Sequence, residues 1–118
     1  MDQSKEMAKL AYAALSEKKG GDIKIIDIHE VSVMADYFII ADGSNLNQVQ
    51  AMADNVEEKM AEAGYQVRQT EGYQSANWIL LDYGDVIVHA FNREDRLFYD
   101  LERIWRDGTI MDAKEFLA

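Results

Sequence analysis

At 118 residues the chain has the length of one domain, enough to bury roughly two-thirds of its unfolded surface without disulfide or metal staples. It has no cysteine, which excludes disulfides, thiolate zinc sites and cysteine nucleophiles. Its 22 acidic and 12 basic residues give a net charge of −10, a surface that repels phosphate backbones and argues against autonomous nucleic-acid binding.

The same charge favours a basic protein partner, whose encounter it would steer, although solubility alone would also account for it. The start, "MDQSKEMAK", has no apolar run behind a basic head and does not read as a secretory signal. No segment approaches the ~18 consecutive apolar residues of a membrane span. The expectation is a soluble cytoplasmic protein with a single domain over 1–118, its core over 3–107 and a C-terminal tail over 108–118.

The first predicted element is a helix over Gln3 to Lys19, because Met7, Leu10, Ala11, Ala14 and Leu15 form one stripe. Lys18 and Lys19 suit its negative end, and Gly20-Gly21 stops it. "IKIIDI" (23–28) predicts a strand, and a loop follows through Ser32 to Asp36. "YFIIADG" (37–43) predicts a strand buried on both faces, since its apolar run is nearly continuous. Ser44 is the expected N-cap of a second helix, with Val49, Met52, Ala53, Val56, Met60 and Ala63 on its inner face and Gly64 at its end. "YQVRQTEG" (65–72) alternates like a half-exposed strand. "WILLD" and "VIVHAF" are two more strands around a tight turn at Tyr83-Gly84-Asp85. Asn92 is expected to cap a third helix with Leu97, Phe98, Leu101, Ile104 and Trp105 inside. The tail carries at most a short helix.

The order helix, strand, strand, helix, three strands, helix predicts an α/β fold with a mixed five-stranded sheet flanked by helices. The second helix allows a right-handed crossover between the second and third strands. The turn at Gly84 requires the fourth and fifth strands to be antiparallel.

Several residues carry possible chemistry. Gly43-Ser44 stands at a strand-to-helix junction, where free amides can cradle phosphate. Nucleotidyltransferase sites begin similarly, but they continue with two aspartates one residue apart on the next strand, and no D-x-D follows Ser44 here. A plain capping turn is the simpler reading. His89 could pair with Asp82 or Asp85 in acid–base work, yet a hydrogen-bonded structural histidine fits its apolar neighbours Ile87 and Phe91 better. No histidine pair has metal-ligand spacing, and no cofactor is implied. Trp78 opens a strand after the polar run "EGYQSAN". It fits a partner hot spot, and a core or self-association contact equally well.

The stretches "ADYFIIADGSNLNQVQAMAD" (35–54), "EGYQSANWILLDYGDVIVHAF" (71–91) and "RLFYDLERIW" (96–105) resemble the ribosomal silencing factor family, also called the RsfS or Iojap family. The resemblance implies a nucleotidyltransferase-like α/β fold without catalytic residues. It implies a non-enzymatic factor, commonly a homodimer, that binds the large ribosomal subunit through the basic ribosomal protein L-fourteen. Joining of the small subunit is thereby blocked and translation repressed. The partner-binding role carries over to Trp78, with Leu80 and Asp82 on its strand face and Glu71 and Gly72 ahead of it. Asp36, Tyr37, His89 and Tyr99 also match family positions, with roles that could be structural. Two rival readings are a divergent nucleotide-binding enzyme using Ser44 and Asp36, and an acidic adaptor unrelated to the ribosome.

Overall fold

The computed structural model describes residues 2–30, 32–33, 35–94 and 108–117. Its elements in chain order are α1 (Asp2–Glu17), β1 (Gly21–Asp27), β2 (Tyr37–Gly43), α2 (Leu46–Glu62), β3 (Gln69–Glu71), β4 (Trp78–Asp82), β5 (Val86–Asn92), β6 (Thr109–Ile110) and α3 (Ala113–Leu117). The helix predicted after Asn92, with its inner residues and Tyr99, lies outside the described residues.

The strands form one mixed sheet in the order β3-β4-β5-β2-β1-β6. It has six strands where the sequence predicts five. The extra strand is β6, two residues of the tail that pair antiparallel with Ile26 and Asp27 of β1. The predicted crossover exists in a wider form. β2 pairs parallel with β5, and β3, though parallel to β2, stands at the edge with two strands between them. The β4–β5 hairpin inserts itself between them.

The near-continuous apolar run of β2 is buried on both faces, as expected for a central strand. On the first face Tyr37, Ile39 and Ala41 meet α1 and α2 through Ala11, Leu15, Val49, Met52 and Val56. The second face carries a smaller core of Ile26, Ile28, Ala35, Ile40 and Phe91. The tail also docks on the first face: Phe116 is buried and stands edge-on to Tyr37, ring centroids 5.3 Å apart.

Four predicted boundaries shift for local reasons. Helix α1 ends at Glu17, so Lys18 and Lys19 lie past its last turn. Lys19 takes the left-handed conformation that closes the helix, with Gly20 N donating to Leu15 O. Helix α2 is capped by Asn45, not Ser44: Asn45 Oδ1 accepts from Gln48 N at 2.8 Å. Gln48 Oε1 accepts from the Ser44 amide and hydroxyl, so the cap stands one residue later than predicted. Strand β1 begins at Gly21 and ends at Asp27, with an irregularity before Lys24 where Asp22 has positive φ. Strand β3 is limited to Gln69–Glu71, because Tyr65 N is still bonded to Met60 O at the end of α2.

Candidate functional site

Residues two apart along a strand share a face, and cross-strand register sets which side chains meet. On β4, Ile79 and Leu81 point into the main core, whereas Trp78, Leu80 and Asp82 point to the second face and are half-buried. Register then builds that face in rows. Glu71, Leu80, His89 and Ile40 form one row; Gln69, Asp82, Ile87 and Phe38 form the next. Trp78 lies opposite Phe91, which lies beside Asp42. Asp42 closes the face by accepting from Arg93 Nε at 3.0 Å. The result grades from buried His89 and Phe91, through the half-buried line of Trp78, Leu80 and Asp82, to exposed Glu71 at the sheet edge.

Trp78 and His89 are joined directly. The indole Nε1–H donates to His89 Nδ1 at 3.1 Å. Trp78 also stacks obliquely on Phe91, and Phe38 meets His89 edge-on at 4.9 Å. His89 is 4% exposed, and burial lowers its pKa to about 4. The acid–base pairing of His89 with Asp82 or Asp85 is therefore not formed. Asp82 Oδ1 instead accepts from Gly84 N at 2.7 Å and fixes the hairpin turn.

The lowered pKa sets a pH dependence. The unfolded chain takes up this proton below about pH 6.5 and the folded protein only near pH 4, so stability falls as pH drops through that window. The loss from this group reaches about 3 kcal/mol below pH 4. Denaturant unfolding between pH 7 and pH 4 should show it, and His89→Asn should flatten that limb. An unchanged slope in the variant would assign the acid sensitivity to other groups.

The loop before Trp78 is braced. Gly72 has φ +79°, and a Cβ there would overlap the Trp78 carbonyl oxygen. Gly72 O accepts from Ala76 N at 2.9 Å, and Asn77 O accepts from Asn92 N at 3.0 Å. From α2, Gln50 Nε2 donates to Tyr73 O at 2.9 Å, and Tyr73 hydroxyl donates to Asp54 at 3.1 Å. Gln50, Asp54 and Tyr73 were not predicted. Their contacts join distant parts of the chain and leave no local pattern.

A family model described as "Ribosomal silencing factor during starvation" matches residues 1–117. The chain belongs to the ribosomal silencing factor family. A ribosomal silencing factor of Bacillus subtilis is 41% identical over 108 residues, covering 92% of each chain. A crystal structure of a Chromobacterium violaceum protein superposes with TM-score 0.82 at 39% identity, covering 85% of this chain and 83% of that one. A Bacillus halodurans crystal structure gives TM-score 0.82 at 34% identity, covering 91% and 97%. These similarities agree with the mixed α/β fold and the family resemblance read from the sequence.

The remaining positions carried over from the family separate. Asp36 is a backbone joint: its N–H donates to Asp85 O at 2.7 Å, and its carbonyl accepts from Ile28 N. Tyr37 is buried in the main core against Phe116, away from the Trp78 face. Ser44 and Asp36 flank opposite ends of β2, eight residues apart, or about 26 Å along an extended strand. The two side chains do not meet at one point, and the Ser44 amide and hydroxyl are both engaged by Gln48. A second histidine, exposed His29, is held above its usual pKa by its hydrogen bond with Asp27, and no predicted role fell on it. Among the described residues no cluster of histidine and carboxylate side chains is arranged to hold a metal, and no helix is long and apolar enough to cross a membrane.

Proposed function

We propose that this chain is a translation repressor that binds the large ribosomal subunit through ribosomal protein L-fourteen and blocks joining of the small subunit. The observation that supports this reading is the half-buried line of Trp78, Leu80 and Asp82, bordered by exposed Glu71 and Gly72. A tryptophan at the rim of an apolar cluster can give a partner a large rigid contact, the usual composition of a binding hot spot. Carboxylates Asp82 and Glu71 border it, and the net charge of −10 suits a basic partner. The matched relatives carry the name of ribosomal silencing factors. In this reading the protein acts in the cytoplasm as a homodimer, uses no cofactor or metal, does not bind nucleic acid on its own and catalyses no reaction. The rival enzyme reading needs Ser44 and Asp36 together, and the length of β2 keeps them apart.

Steric blocking predicts an asymmetry. Protein added to separated subunits should keep them apart in a density gradient. Added to preformed couples it should leave most of them intact, because the small subunit already covers the site. Splitting of couples as efficient as blocking of free subunits would show that the mechanism is not steric. Affinity should also fall as salt rises, since exposed charges are screened beyond ~10 Å at 0.1 M.

A further inference from the structure

We propose that His89 is a positioning residue for the partner surface: its Nδ1 holds the Trp78 indole in the orientation that the partner meets. The inference rests on reading the Trp78 face as that surface. It adds a role for a residue that itself stays out of contact with the partner.

Three observations carry it. The bond from Trp78 Nε1–H to His89 Nδ1, at 3.1 Å, fixes the indole on its polar edge. Phe91 lies against the same indole with ring centroids 5.0 Å apart and only 33° between planes, which fixes it on its flat side. His89 is itself immobilised, being 4% exposed and flanked by Phe38 and Phe91. A hydrogen bond at the edge and a ring against the face leave the half-buried indole little rotational freedom. Binding then pays less of the ordering cost that a loose side chain incurs.

The tautomer follows from the bond. Because Nδ1 accepts, the neutral ring carries its proton on Nε2. The Nε2 atom has no hydrogen-bond partner among the described residues. The chemistry offered to the partner is defined too. With its N–H committed to His89, the indole presents apolar ring surface, which fits an apolar or cationic group of a basic protein.

The experiment compares His89→Leu, which keeps apolar bulk and loses the acceptor, with His89→Asn, whose Oδ1 occupies the place of Nδ1. Each full-length variant is titrated against purified large ribosomal subunits, beside Trp78→Ala and the double variant Trp78→Ala/His89→Leu. In parallel, exchange of the Trp78 indole N–H with solvent is followed by NMR on the free protein. His89→Leu should weaken binding roughly tenfold, the scale of one lost hydrogen bond, and expose the indole N–H to exchange. His89→Asn should recover most of the affinity and the protection. In the Trp78→Ala background His89→Leu should have no further effect. Equal weakening by Leu and Asn, or parental affinity in His89→Leu while Trp78→Ala has lost binding, would overturn the positioning role and leave the Trp78 surface standing. If Trp78→Ala binds like the parent, the surface reading fails first; the exchange experiment still decides whether His89 holds the indole. Should His89→Leu not fold, His89→Asn decides alone: protected indole and near-parental binding support the proposal, and a freely exchanging indole with parental binding refutes it.

Discussion

Trp78→Ala is expected to lower the affinity for large ribosomal subunits by at least about thirtyfold, the effect of deleting a hot-spot tryptophan worth ~2 kcal/mol or more. The same change should cost less folding stability than loss of a fully buried tryptophan, for which ~3–5 kcal/mol is usual. Trp78 is only half-buried, at the margin of the smaller core with Phe38 and Ile87. It nevertheless covers Phe91 and satisfies His89 Nδ1, so the stability cost is not negligible. About 2 kcal/mol is a reasonable figure, which for a domain of this size lowers the melting temperature by roughly 5–10 °C. Binding measured well below the melting temperature thus separates the two effects. A folded variant with parental affinity would remove Trp78 from the partner surface. A melting point lower by far more than ten degrees would place the indole in the core proper.

The sequence made the second face partly legible. The two-residue period of β4 places Trp78, Leu80 and Asp82 together, and that of β5 groups Ile87, His89 and Phe91. The hairpin at Gly84 pairs the two sets, because a tight turn leaves one register. Phe38 and Ile40 join them only through the parallel pairing of β2 with β5, a long-range choice with no local signature. The same limit explains β6. Two residues, Thr109 and Ile110, show no alternation, and they become a strand because β1 has an open edge beside them. At the α2 cap two capping residues stand side by side. Asn45 takes the role because its Oδ1 accepts from the Gln48 amide, while the Ser44 hydroxyl is turned to Gln48 Oε1. At β3, Tyr65 and Val67 alternate because they pack against the main core, not because their backbone pairs. Alternation reports burial on one side, and pairing needs a neighbour as well. Asp82 shows how a motif residue can be correctly placed on a face and still have a structural task, since its side chain holds the Gly84 amide.

Gly72→Ala should be the most damaging small substitution near the site, and Gly64→Ala is its internal control. Both glycines have positive φ, +79° and +92°. An alanine at either position takes on the left-handed backbone cost of roughly 1–2 kcal/mol. The surroundings differ. Among the described residues, none beyond its chain neighbours has an atom within 4 Å of where a Cβ at Gly64 would stand, whereas at Gly72 it would overlap the Trp78 carbonyl oxygen. That oxygen belongs to the backbone at the start of β4 and cannot rotate away like a side chain. Gly72→Ala must therefore push the loop off the strand, straining the Ala76 N–H bond to Gly72 O and the Gln50 bond to Tyr73 O. The expected cost is at least about 2 kcal/mol beyond that of Gly64→Ala, in the range of a buried steric conflict. Because the displaced element carries Trp78, binding to large subunits should fall as well, while Gly64→Ala should bind like the parent. Equilibrium unfolding of both variants, with binding measured under conditions where each is fully folded, tests both parts. Equal stability losses in the two variants would mean that backbone strain alone makes Gly72 necessary. Parental binding by a folded Gly72→Ala would mean that the loop can move without carrying Trp78 with it.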